Sequence, residues 1–250
     1  MSRPGLITIL ASVLAGAIVL VAPSIATATR ATGAGARPIV GQCRNTTFAD
    51  AFYTTDAHPA IPCARPHLMQ TFAVVDVPRS ADYVHMTQNQ FFKQAVSRCS
   101  GPYWQALGGT FRSRALTDYD WFYFGPTTAQ KKAGARWIRC DVALLGSTAA
   151  GHGFLSPLPY HRFPLLTHPL NDTVRRCLAT TDHSWLTPCA RAHVARGDQV
   201  FAMSGDVRPP VSAIQAAAAA RCPGKRWTQP YASEWVRGNH IITCYTVTTH

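Results

Sequence analysis

Two short segments of the chain combine a cysteine with a histidine four residues later. Cys63 precedes His67, and Cys189 precedes His193 in the same Cys-Ala-Arg-x-His arrangement. Thiolate and imidazole are zinc ligands, and a histidine at this spacing could also act as a base beside a nucleophile. The alternative is a structural histidine whose ring hydrogen-bonds the backbone where a turn enters a strand. We favour this structural role and expect no catalytic, cofactor or metal residues.

The chain has eight cysteines, which fall into two sets of four with similar neighbours. In an exported protein an even number of cysteines is expected to form disulfides, which leaves no thiolate for a metal or a papain-like nucleophile. Four cysteines allow three connectivities in each set. We favour pairing in order because the second pair of each set would then join a helix to a strand. The pairs are Cys43–Cys63, Cys99–Cys140, Cys177–Cys189 and Cys222–Cys244.

Other residues recur together with the cysteines. Trp104 and Trp227 each follow the third cysteine of their set by five residues, and Gly134 and Gly238 each precede the fourth by six. The tryptophans either pack in the core beside a disulfide or form an aromatic platform for a sugar or a base, and we favour the core. The glycines are typical of turns. The residues that both halves retain therefore indicate a shared architecture. We expect the functional residues to be among those that differ between the halves.

Local patterns predict the elements that hold these residues. Runs rich in β-branched and aromatic residues predict strands at 70–74, 137–142, 199–203 and 241–247. A helix is expected to end at the third cysteine of each set, with Gly101 and Gly224 as stop signals. The predicted buried faces of the helices are Phe92, Ala95, Val96 and Cys99, and Val211, Ile214, Ala218 and Cys222.

These elements predict an α+β fold of two tandem disulfide-stapled modules, each a small, mainly antiparallel sheet with one packed helix. Residues 1–28 read as a signal peptide or an uncleaved anchor, and 29–38 as a tether. Module one is placed at 39–145, a Pro/His-rich linker at 146–172, and module two at 173–250. The linker histidines (His152, His161 and His168) are too loosely spaced for a metal site, so we expect an exposed connection.

The residues resemble the septum-formation domain family of actinobacterial exported and membrane-anchored proteins. The resemblance is carried by Val40-Gly41-Gln42-Cys43, by Pro62-Cys63-x-x-Pro66-His67 leading into a strand, by the helix cysteine, and by Gly134-x-Arg136-x-x-x-Cys140. The second half departs from this pattern with Ala192 in place of Pro66 and His240 in place of Arg136. The first half has Lys131 where the second has Trp235. The resemblance implies a link to cell division or to the cell envelope.

The net charge of +12 favours an anionic partner, although an arginine-rich exported protein can also be basic without a dedicated site. We expect a secreted or envelope-associated, non-enzymatic binding or scaffold protein whose partner is an anionic cell-wall polymer or an envelope protein. Membrane contact is expected only through an uncleaved N-terminal segment, and no specific nucleic acid is expected. The alternatives are a secreted hydrolase that uses His67 or His193, and a basic secreted binder of anionic polymers or nucleic acid.

Overall fold

The computed structural model describes residues 37–79, 81–148, 153–160, 162–167, 169–180 and 185–248. The predicted signal peptide and the linker histidines His152, His161 and His168 lie outside these residues. Within the described ranges, each helix is too short or too polar to cross a membrane.

The first sheet has five antiparallel strands in the order β1-β2-β4-β3, and β5 also pairs with β4. The strands are β1 (Cys43–Arg44), β2 (Met69–Asp76), β3 (Tyr119–Phe124), β4 (Trp137–Ser147) and β5 (Phe154–Ser156). Strand β4 is buried along nearly its whole length, since apolar clusters pack on both faces of the sheet. This sheet therefore forms the centre of the larger core.

The second sheet is also antiparallel and has the order β7-β6-β8-β10-β9. Its strands are β6 (Arg176–Leu178), β7 (Leu186–Pro188), β8 (Ala195–Ala202), β9 (Arg226–Thr228) and β10 (Ile241–Val247). The order β6-β8-β10-β9 matches β1-β2-β4-β3, so Cys177 and Cys244 occupy strands that correspond to those of Cys43 and Cys140. The repeated tryptophans do not correspond in this way, because Trp227 lies in β9 whereas Trp104 lies in the helix Gln88–Leu107. The predicted α+β class with antiparallel sheets is confirmed, whereas the assignment of module boundaries stays a prediction.

One long α-helix packs on each sheet, and three shorter α-helices also occur within the described ranges. They are α1 (Gln88–Leu107), α2 (Phe111–Ala115), α3 (Thr128–Lys132), α4 (Val211–Arg221) and α5 (Ala232–Val236). Helix α4 ends directly before Cys222, as predicted. The predicted end of α1 at Cys99 is wrong. The helix continues through Pro102 because Gly101 has no Cβ to clash with the proline ring and because Tyr103, Ala106 and Leu107 extend the buried face.

Four disulfides join the cysteines in the predicted order: Cys43–Cys63, Cys99–Cys140, Cys177–Cys189 and Cys222–Cys244. Cys99 lies in α1 and Cys140 in β4, and Cys222 caps α4 while Cys244 lies in β10. The second disulfide of each set therefore attaches a helix to the central strand of a sheet, as the sequence predicts.

The two sheets are connected by backbone hydrogen bonds. Leu116 accepts from the amide of Arg176 at 2.8 Å, and the amide of Asp118 donates to Val174 at 2.9 Å. The predicted linker differs from an exposed connection, since Leu158 and Leu165 are buried against the core of the first sheet. Their backbone amides donate to His67 and Ala106, which satisfies polar groups that burial would otherwise leave unpaired.

Candidate functional site

The two repeated histidines bond to the backbone of their own turns. Nδ1 of His67 lies 2.9 Å from the carbonyl oxygen of Arg65, and Nδ1 of His193 lies 2.8 Å from that of Arg191. Because a carbonyl only accepts, Nδ1 carries a proton in both rings. His67 is 3 % exposed, so its ring faces the interior. The predicted backbone hydrogen bond is therefore present in both halves.

The repeated cysteines and histidines do not come together as ligands. All eight cysteines are in disulfides, so none supplies a thiolate. Across the described ranges, no group of three or more histidine, cysteine, aspartate or glutamate side chains is arranged to hold a metal ion.

The repeated glycines end the short helices α3 and α5. Gly134 and Gly238 have φ of 88° and 82°, in the left-handed region that favours glycine. Each donates its amide to the residue three before it, and the following amide donates five residues back. This is the Schellman arrangement, which satisfies the free carbonyls at a helix C-terminus. Their recurrence thus reflects helix termination.

The repeated tryptophans are only half-buried, in contrast to Trp235, which is 1 % exposed. Trp104 packs on the core of the first sheet and Trp227 on the core of the second. Trp227 and Trp104 also each line a cavity. The predicted core packing is therefore present at both tryptophans, and a role as an aromatic platform stays a prediction.

These cavities form one groove with two compartments, the first lined by both halves of the chain and the second by described residues of the second half. The aromatic compartment encloses about 250 Å³ and is lined by, among others, Phe48, Phe52, Trp104, Arg114, Trp121 and Arg237. The arginine compartment encloses about 400 Å³, and its lining includes Arg176, Arg208, Trp227, Tyr231, Glu234 and Asn239. Arg176, Tyr231, Glu234 and Asn239 line both compartments, so the two are neighbours along one surface.

Arg237 attaches the second half of the chain to the edge of strand β3. Its guanidinium donates to Asp120 at 3.0 Å and to the carbonyl oxygen of Trp121, and it stacks on the Trp121 ring at 4.3 Å. Asp120 also accepts from the Trp121 amide at 2.7 Å. These contacts satisfy the polar groups of an edge strand and hold the Trp121 ring at the groove wall.

Arg176, which lines both compartments, forms an ion pair with Asp118, the residue directly before β3. Arg176 Nε donates to Asp118 at 2.9 Å, and the carboxylate is fully buried. The other oxygen of Asp118 has no hydrogen-bond partner within the described part of the chain. Burial raises the pKa of Asp118 to about 7, although Arg176 acts in the opposite direction. The ion pair therefore holds Arg176 in place, although removing both charged groups from water costs desolvation free energy.

Glu234 is the only glutamate of the chain and faces both compartments. Its carboxylate accepts from the Tyr231 amide at 2.6 Å, just as the Gln130 side chain accepts from the Thr127 amide at 2.8 Å in the first half. Burial and the nearby charge of Asp120 raise the pKa of Glu234. The position is thus a repeated helix cap that, in this half alone, adds a carboxyl group to the groove.

Sequence reasoning did not identify the groove residues Asp120, Arg176, Tyr231 and Arg237. They do not recur between the halves, and they are far apart in sequence: 117 residues separate Asp120 from Arg237. The one available signal was the Glu234–Gln130 difference, which marks a position where the halves diverge.

The comparisons with known proteins give one match. No curated protein and no solved structure matches the chain. A family model described as septum formation matches residues 40–226. The single match runs across both sheets, so the idea that each half is a complete family domain stays a prediction. The four disulfides are consistent with an extracytoplasmic location. The chain therefore belongs to the septum formation family, which associates it with a role in cell division.

Proposed function

We propose that the protein is a non-enzymatic, extracytoplasmic binding protein that acts in septum formation by holding an anionic polymer of the cell envelope. The observation that carries this proposal is the groove, where aromatic rings and arginines from both halves of the chain line one surface. Aromatic faces contact sugar rings, and guanidinium groups pair with carboxylates and phosphates. The net charge of +12 would draw an anionic polymer towards this surface.

The position of the charged groups favours binding over hydrolysis. His67 is buried, and Nδ1 of both His67 and His193 bonds to a backbone carbonyl, so a hydrolase that uses either histidine has little support. Asp120 and Glu234 both line the aromatic compartment, but each already has a partner in the fold. The Glu234 contact has a counterpart at Gln130, which carries no carboxylate, so this position serves as a helix cap in both halves. The two groups support the wall of a binding site.

Co-sedimentation with isolated bacterial cell walls that retain their anionic glycopolymer tests the proposal. Arg114 stacks on Trp104 in the aromatic compartment, so Arg114→Ala removes one groove charge. Arg79→Ala is the matched control, because it removes the same charge from an exposed position outside the groove lining. We expect full-length protein to bind, to bind less as salt rises, and to lose affinity with Arg114→Ala only. Absent or salt-independent binding, or equal loss in both variants, contradicts the proposal.

A further inference from the structure

The arginine compartment presents two guanidinium groups that are already oriented by the fold. Arg176 uses its Nε on Asp118 at 2.9 Å, and Arg208 uses its Nε on the carbonyl oxygen of Pro230 at 3.3 Å. Among the described residues, neither side chain makes a further hydrogen bond. The terminal nitrogens are therefore available to a ligand, and a guanidinium offers them as a planar pair that matches a carboxylate.

Two aromatic side chains border the same compartment. Trp227 lies in β9 and packs, partly buried, against the core of the second sheet. Tyr231 is 69 % exposed at the start of α5. An exposed ring of this kind gives a flat apolar surface, which suits the C–H face of a pyranose ring.

The remaining polar groups of the arginine compartment determine which charges and which hydroxyl groups a bound ligand can carry. Asn239 can donate to and accept from sugar hydroxyls, and Glu234 can accept from them. Glu234 also repels a ligand that carries several negative charges at this point. A ligand with one anionic group and several hydroxyls therefore fits the lining better than a polyphosphate does.

We propose that the arginine compartment binds the acidic sugar unit of an envelope polymer, a pyranose with a single carboxylate. The carboxylate pairs with Arg176 and Arg208, the ring stacks on Tyr231, and the hydroxyls meet Asn239 and Glu234. This assignment rests on the proposed binding function and names the part of the polymer that is recognised.

Isothermal titration of the full-length, disulfide-bonded protein with an oligogalacturonate tests the assignment. The fully methyl-esterified oligosaccharide is the matched neutral probe, and inorganic phosphate and dextran sulfate test for general anion binding. We expect the oligogalacturonate to bind most tightly, dextran sulfate to bind more weakly through the net charge, and the neutral probe and phosphate to bind more weakly still. Equal affinity for the neutral probe, or equal or tighter binding of phosphate or dextran sulfate, overturns the assignment.

Variants locate the site. Arg208→Ala and Tyr231→Ala are each expected to weaken binding by about tenfold, while Arg79→Ala changes it by less than about twofold. Arg176 is left intact because its removal would strand the buried Asp118. Equal effects of Arg79→Ala and Arg208→Ala contradict the site.

Two outcomes distinguish failure of this assignment from failure of the proposed function. If the protein binds cell walls and Arg114→Ala weakens that binding, but oligogalacturonate does not bind, only the acidic-sugar assignment fails. If neither ligand binds, the proposed function fails with it.

Discussion

Alanine at Gly134 or Gly238 is expected to destabilise the protein by about 1–2 kcal/mol. Both glycines have positive φ, at 88° and 82°, and a Cβ added at either would meet nothing within 4 Å. The cost is therefore conformational rather than steric crowding by neighbours, and left-handed backbone costs an L-residue about that amount. For a chain of this size the loss corresponds to a fall in Tm of about 2–8 °C.

Asparagine at the same positions provides the matched control. It is larger than alanine but tolerates left-handed backbone, so Gly134→Asn should lose less stability than Gly134→Ala. Urea unfolding followed by circular dichroism, with the disulfides intact, measures both variants. A neutral Gly134→Ala, or a greater loss with asparagine than with alanine, would refute the account of these glycines as Schellman helix ends.

Three further predictions concern the disulfides, Asp118 and His67. Removing Cys99–Cys140, with a sequence separation of 41, should cost about 4 kcal/mol, against about 3 kcal/mol for Cys177–Cys189 with a separation of 12. Urea unfolding of the cysteine-to-alanine pairs checks this order, and the reverse order contradicts it. Because the pKa of Asp118 is raised to about 7, the folded state holds a proton that the unfolded state has released between about pH 4 and pH 7. The contribution of Asp118 to the free energy of unfolding therefore falls as pH rises through that range. In thermal unfolding, the Tm of Asp118→Asn should accordingly rise relative to that of the wild type between about pH 4 and pH 7. A Tm difference that stays constant with pH would refute this. His67→Ala should lose about 1–3 kcal/mol yet keep cell-wall binding under conditions where it is folded; lost binding at unchanged stability would indicate a functional histidine.

The local architecture could be predicted because it depends on neighbouring residues. The strands around Cys140 and Cys244 and the turn glycines follow from residue type, whereas the cysteine pairing was one of three possibilities in each set, favoured because it joins a helix to a strand. The end of α1 could not be predicted in the same way. Gly101 and Pro102 are typical stop signals, but the buried residues after them outweigh the local preference.

The groove could not be predicted because it forms between distant residues. Arg176 reaches an aspartate 58 residues earlier, and Arg237 reaches Asp120 across 117 residues. Periodicity gives the face on which a residue lies, but it does not indicate which two faces pack together. The internal repeat helps only indirectly, because groove residues tend to lie at positions where the two halves differ. Glu234, for example, lines the groove at the position that Gln130 occupies in the first half.

Hydrogen–deuterium exchange of the full-length protein with solubilised anionic wall polymer tests the binding groove most directly. Bound polymer should slow exchange in β3 (Tyr119–Phe124), β9 (Arg226–Thr228) and α5 (Ala232–Val236), which contribute to or flank the groove wall. Exchange in α4 (Val211–Arg221), which contributes nothing to the lining of either compartment, should stay unchanged. Protection confined to α4, or no protection at saturating polymer, would contradict the groove as the binding site.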